Sequence, residues 1–141
     1  MSRSIIASVL SFNGGFVDTM GFVALSGLFT AHVTGNFVTL GATFAEGTGG
    51  ALAKLLALPV FCITIFLGHG LNRWLEGRKC SPIPVFLSLK FVLFVIAAAL
   101  TFVLPLENAG GGGKLLLGMV LVIAMAMQNA LHRSHLSDQP P

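Results

Sequence analysis

The chain has 141 residues, 55% of them hydrophobic and 9% charged, and its mean hydropathy is +0.89. A soluble domain carries about 25% charged residues, so the side chains for a water-facing exterior are missing and lipid is the expected solvent. Eight basic against five acidic residues leave a net charge of +3, without the basic face or stripe that nucleic acid requires.

A membrane-crossing helix needs about 20 mostly apolar residues. Four segments supply them: 4–29, 51–71, 84–104 and 114–131. The expected fold is all-α, a polytopic transmembrane helical bundle of about four spans in a single membrane domain, 1–141. The first segment, SIIASVLSFNGGFVDTMGFVALSGLF, is long enough but interrupted by Asn13, Asp18 and Thr19. It fits a cleavable signal poorly, because its opening apolar core is short and more apolar sequence follows the polar residues. On insertion scales an aspartate at mid-membrane costs about 2.5–3.5 kcal/mol, and intramembrane acids are functional candidates by default. Gly14, Asp18 and Gly21 fall on one helical face, and the two glycines permit close helix packing there. Asp18 therefore reads either as a proton, cation or substrate site, or as a buried hydrogen-bonding residue that fixes helix contacts.

TAHVTGN, residues 30–36, follows and interrupts the apolar run with polar and helix-breaking residues. The segment 34–45 is too short to cross alone, and irregular backbone is tolerated in lipid only against protein or a water-filled cavity. Two readings stay open. In one, TAHVTGN is an extracytoplasmic turn and the next residues lie at the interface. In the other, it is a break before a re-entrant half-helix, whose freed amides can face a ligand. Thr34 or Asn36 is the expected cap of that second piece.

The second span contains Pro59, a candidate kink, and Cys62, with His69 near its expected cytoplasmic end. The loop NRWLEGRKCSPI then brings Arg73, Arg78 and Lys79, with Lys90 just inside the third span. Short-loop Lys and Arg mark the cytoplasmic side. The nearly balanced segments 45–54 and 107–114 then face out, Arg3 and Arg133 face in, and both termini are expected in the cytoplasm. On the fourth span Gln128 and Asn129, with Arg133, are candidates for a polar vestibule. Cys62 and Cys80 lack metal-site spacing and are not expected to pair. The glycines at 110–113 lack the strand and the Lys-Ser/Thr pair of a phosphate loop. With no nucleophile, base and orienting group in view, no catalytic residue, cofactor or metal is expected, and the chain reads as a non-enzyme.

The string GGFVDTMGFVAL followed by GLFTAHVTGNFVTLG resembles the opening signature of the YoaK-like bacterial integral membrane proteins, the domain of unknown function 1275. AKLLALPVF and MAMQNALHR extend the resemblance over nearly the whole chain. It implies a multi-pass protein of the inner membrane, and it places Asp18, His32, Thr34, Gly35 and Asn36 at the characteristic polar positions of that family. Its members commonly have about six spans and a second motif reminiscent of TAHVTGN. The chain is therefore expected to be a truncated copy or N-terminal part of a longer family domain, assembling as a homo-oligomer or with a separate second half.

Two function classes follow. One is a small-solute or ion transporter, or a truncated remnant of one, with Asp18, His32, Thr34, Gly35 and Asn36 along the path and Gly14 and Gly21 in helix packing. The other is a structural or accessory membrane protein without transport. The lipid bilayer is the partner common to both, and the ligand is unknown.

Overall fold

A computed structural model describes residues 3–104 and 112–132, with side chains from residue 5. It is a helical bundle with five α-helices among these residues: α1 (Arg3–Ala24), α2 (Gly35–Glu46), α3 (Ala51–Gly77), α4 (Pro82–Val103) and α5 (Gly112–Leu131). All but α2 are long and apolar enough to cross a membrane, since 20 residues rise about 30 Å. The chain is a multi-pass membrane protein. Arg133, the segment 105–111 and the tail 133–141 lie outside the described residues.

The surface agrees with a lipid solvent. Phe12, Phe66 and Phe102 are 78%, 78% and 90% exposed, which would be a liability in water and is ordinary contact with acyl chains. The core divides into two clusters that set the chain direction. One joins Leu25, Ala53, Phe61, Ala97, Leu117 and their neighbours. It gathers the end of α1, the start of α3, the end of α4 and the start of α5. The other joins Leu10, Leu75, Phe86, Met127 and Leu131, the opposite ends of the same four helices. The long helices therefore run up and down alternately. α5 lies against both α3 and α4 and carries more buried residues than any other helix, many of them small: Gly118, Ala124, Ala126 and Ala130. A β-carbon at Gly68 of α3 would stand 3.2 Å from that of Ala130, so the small residues let these backbones approach.

α4 and α5 each begin two residues before the expected position, and the ends of α1, α3 and α2 depart from expectation in ways that matter for the site. α1 stops at Ala24 rather than at 29, because Ser26 and Gly27 take left-handed φ of +56° and +79°. The Gly27 amide closes that end on the Phe22 carbonyl at 2.9 Å, in the manner of a glycine helix stop. α3 continues to Gly77, so His69 lies within a helix of about 40 Å and not at its end. It ends where Lys79 turns to φ +56° and the Cys80 amide reaches back to the Leu75 carbonyl at 3.0 Å. Finally, α2 begins at Gly35 with Thr34 as its N-cap, but no side chain caps it.

Between α1 and α2 the chain doubles back along α1. Leu25 and Leu28 lie near Gly118, Thr30 lies against Gly21, and Ala31 and His32 border a cavity shared with Gly14 and Gly15. From Gly21 to Gly14 is about 10 Å of helix. α2 then returns toward the start of α3, where the buried Lys54 ammonium donates to the Thr39 carbonyl and the Thr43 hydroxyl. Gly21 makes this passage possible: a β-carbon there would meet Thr30 Cγ2 at 3.0 Å and the Leu28 carbonyl oxygen at 3.3 Å. Gly21→Leu is expected to push the segment off α1 and cost about 1–3 kcal/mol, the usual range for overpacking. Thermal unfolding in detergent, read by circular dichroism, checks this; an unchanged midpoint would show the contact to be slack.

Candidate functional site

Besides the Lys54 contacts with Thr39 and Thr43, two further polar clusters among the described residues are each built around one buried charged side chain. The first is centred on Asp18, which is 5% exposed. Its Oδ1 accepts the backbone amides of Thr30 at 2.6 Å and Ala31 at 2.7 Å and the Thr30 hydroxyl at 3.3 Å. Its Oδ2 lies 2.8 Å from His32 Nδ1. The doubling-back segment breaks the helical hydrogen-bond ladder, and the aspartate supplies the acceptors its amides lose. That is how lipid-embedded chain tolerates non-helical backbone.

His32 is held at one ring nitrogen and open at the other face. Against a carboxylate the ring donates from Nδ1, which leaves Nε2 as the acceptor. Its side chain is 78% exposed and borders a cavity of about 370 Å³ between α1 and α5. Ser11, Gln128, Asn129 and His132 supply the other polar groups around that space. The cavity is floored by Gly14 and Gly15, and a β-carbon at Gly14 would stand 3.2 Å from Gln128 Nε2. Asp18 and His32 thus form a pair in which the acid fixes the imidazole and the imidazole meets the cavity.

The remaining motif residues have other surroundings. Asn36, 1% exposed, donates from Nδ2 to the Phe29 carbonyl and accepts the Phe29 amide at Oδ1, both at 2.8 Å. Its side chain therefore clasps the returning segment and does not cap α2, which corrects that expectation: an unpaired backbone residue seven positions earlier satisfies both ends of the amide. Gly35 makes room for the Phe29 ring, whose Cδ2 would lie 3.1 Å from a β-carbon. Thr34 is exposed and makes no side-chain cap bond. Asn129 borders the cavity while His69 is exposed on α3. Cys62 and Cys80 are both free and exposed. Among the described residues no group of three or more His, Cys, Asp or Glu could hold a metal ion.

The second cluster was hidden in the sequence by its chain separations. Lys90 of α4 is 6% exposed. Its ammonium donates to Asn13 Oδ1 of α1 at 2.5 Å and to Gln128 Oε1 of α5. Gln128 Nε2 in turn donates to the Leu10 carbonyl at 2.6 Å. From sequence Lys90 reads as an orientation charge at the edge of its span. In the structure it is buried about 12 Å along the helix and ties three helices together. The available signal was a polar residue within each of three apolar runs: Asn13, Lys90 and Gln128.

A family model described as "Protein of unknown function (DUF1275)" matches residues 6–141. No curated protein and no solved structure matches the chain.

Proposed function

The chain belongs to the DUF1275 family, and from that premise we infer that it moves protons or a small solute across the cell inner membrane through the cavity beside His32. The observation that carries this reading is the Asp18–His32 contact of 2.8 Å at the rim of an open, partly polar groove between α1 and α5. A neutral imidazole has one donor and one acceptor nitrogen, and a partner carboxylate on Nδ1 leaves Nε2 as the atom free to take up and pass on a proton. His32 Nε2 is the exchanging atom, Asp18 positions it, and Asn129 and His132 line its route. The segment 25–34 with α2 acts as a re-entrant element, and both termini face the cytoplasm, as the basic loop between α3 and α4 supports.

Proteoliposomes carrying a lumenal pH dye and an imposed pH gradient test this. The wild-type protein is expected to dissipate the gradient faster than protein-free vesicles, and His32→Gln to return the rate to the protein-free level at unchanged folded yield. A wild-type rate equal to that of empty vesicles, or an undiminished His32→Gln rate, overturns the reading. A structural or accessory role is the second reading. It is favoured by one observation: four donors from the chain itself already converge on the Asp18 carboxylate.

A further inference from the structure

The Lys90 ammonium is not used in the His32 reading, although Gln128 borders both sites, and among the described residues that ammonium has no counter-ion. Asn13 and Gln128 are neutral acceptors, and no carboxylate stands within ion-pair distance of Lys90 among the described residues. Two of the three ammonium hydrogens are taken up by these amides. The Phe94 ring, with its centroid 5.0 Å from Nζ, adds only the weak attraction of an aromatic face. A cation buried in the interior of an apolar bundle is costly unless it is paired.

Beside it, between α1, α4 and α5, lies a cleft of about 420 Å³, within the size range of small-molecule sites. Asn13 and Phe94, both in contact with Lys90, form one part of its wall. The rest is apolar apart from Thr101, and Phe16 and Met20 on its lining are more than half exposed, so the cleft communicates with the lipid side. We propose that this cleft binds an acyl chain with an anionic head, the chain lying along α1 and α4 and the head approaching the Lys90 ammonium beside Asn13. The supporting geometry is a buried ammonium held by two amides directly behind Asn13 and Phe94 of the wall of an apolar cleft that lipid can enter.

The test uses the full chain in phosphatidylcholine nanodiscs, with cis-parinaric acid as the probe and its methyl ester as the uncharged control. Energy transfer from Trp74, the chain's one tryptophan, reads binding. The acid is expected to bind about tenfold more tightly than the ester, the size of one hydrogen bond to a charged group. Lys90→Met should bring the acid down to the ester's affinity, and Lys90→Arg should keep the preference. Should Lys90→Met fail to fold, Thr101→Phe serves instead. That residue is exposed on the cleft wall, and filling the space should weaken acid and ester together. Equal binding of acid and ester by the wild type overturns the proposal, as does unaltered acid binding by Lys90→Met or by Thr101→Phe. Phosphatidylglycerol discs identify the source of the ligand. Displacement of the probe there assigns the site to anionic phospholipid, and retention assigns it to single-chain acids; both support an anionic amphiphile.

Discussion

Replacing Asp18 with Ala is expected to abolish most of the folded yield, whereas Asp18→Asn should fold and lose only the function of His32. The alanine variant leaves the Thr30 and Ala31 amides without their acceptor, and Thr30 is fully buried. Each orphaned buried group costs about 1–3 kcal/mol, so the pair costs about 2–6 kcal/mol, against a total stability of about 5–15 kcal/mol for a typical domain. The asparagine variant keeps an oxygen at Oδ1 for both amides, so its midpoint should stay within about 1 kcal/mol of the wild type. Its new NH₂ group faces His32 Nδ1, which must then accept, and the ring hydrogen moves to Nε2. The cavity meets a donor where it had met an acceptor. In the serine-protease triad the equivalent exchange holds the geometry but costs about 10⁴ in rate through the wrong tautomer. Monodisperse yield and thermal midpoint in detergent, together with gradient dissipation in vesicles, separate the two variants. An alanine variant as stable as the wild type would show that the amides find other partners. An asparagine variant with full flux would show that the His32 tautomer is not used.

Asn36 is the second position where a single change should unfold the site. It satisfies both backbone groups of Phe29 from a fully buried position. Asn36→Ala orphans a donor and an acceptor, for an expected loss of about 2–6 kcal/mol by the same accounting. Asn36→Asp is the sharper comparison, because it is nearly isosteric and keeps the acceptor. It sets a carboxylate oxygen against the Phe29 carbonyl, two acceptors facing each other, and asks a charge to remain buried. Both variants should therefore unfold at lower temperature than the wild type, although only the alanine leaves a cavity. If Asn36→Asp melts with the wild type, the Nδ2–carbonyl bond contributes nothing and packing around Val33 and Phe29 holds the segment.

Length and composition determined the solvent, the helical class and the number of spans. Those are properties of each segment alone: about 20 apolar residues in lipid must satisfy their own backbone groups, and a helix does so without neighbours. Asp18, Asn36 and the polar motif after the first span were also visible, because an aspartate or a Thr-Gly-Asn run in apolar sequence stands out without knowledge of its partners. Their pairings were not. Asp18 finds its acceptor role 12 to 14 residues onward in a doubling-back segment. Asn36 serves a residue behind it rather than the helix it opens. Lys90 meets Asn13 at a separation of 77 residues and Gln128 at 38. Local spacing encodes which face of a helix a residue occupies, but it does not encode which other helix covers that face. In lipid, where apolar side chains gain little by leaving one neighbour for another, the small residues of α5 and the few buried polar groups discriminate among packings, and only the assembled bundle brings them together.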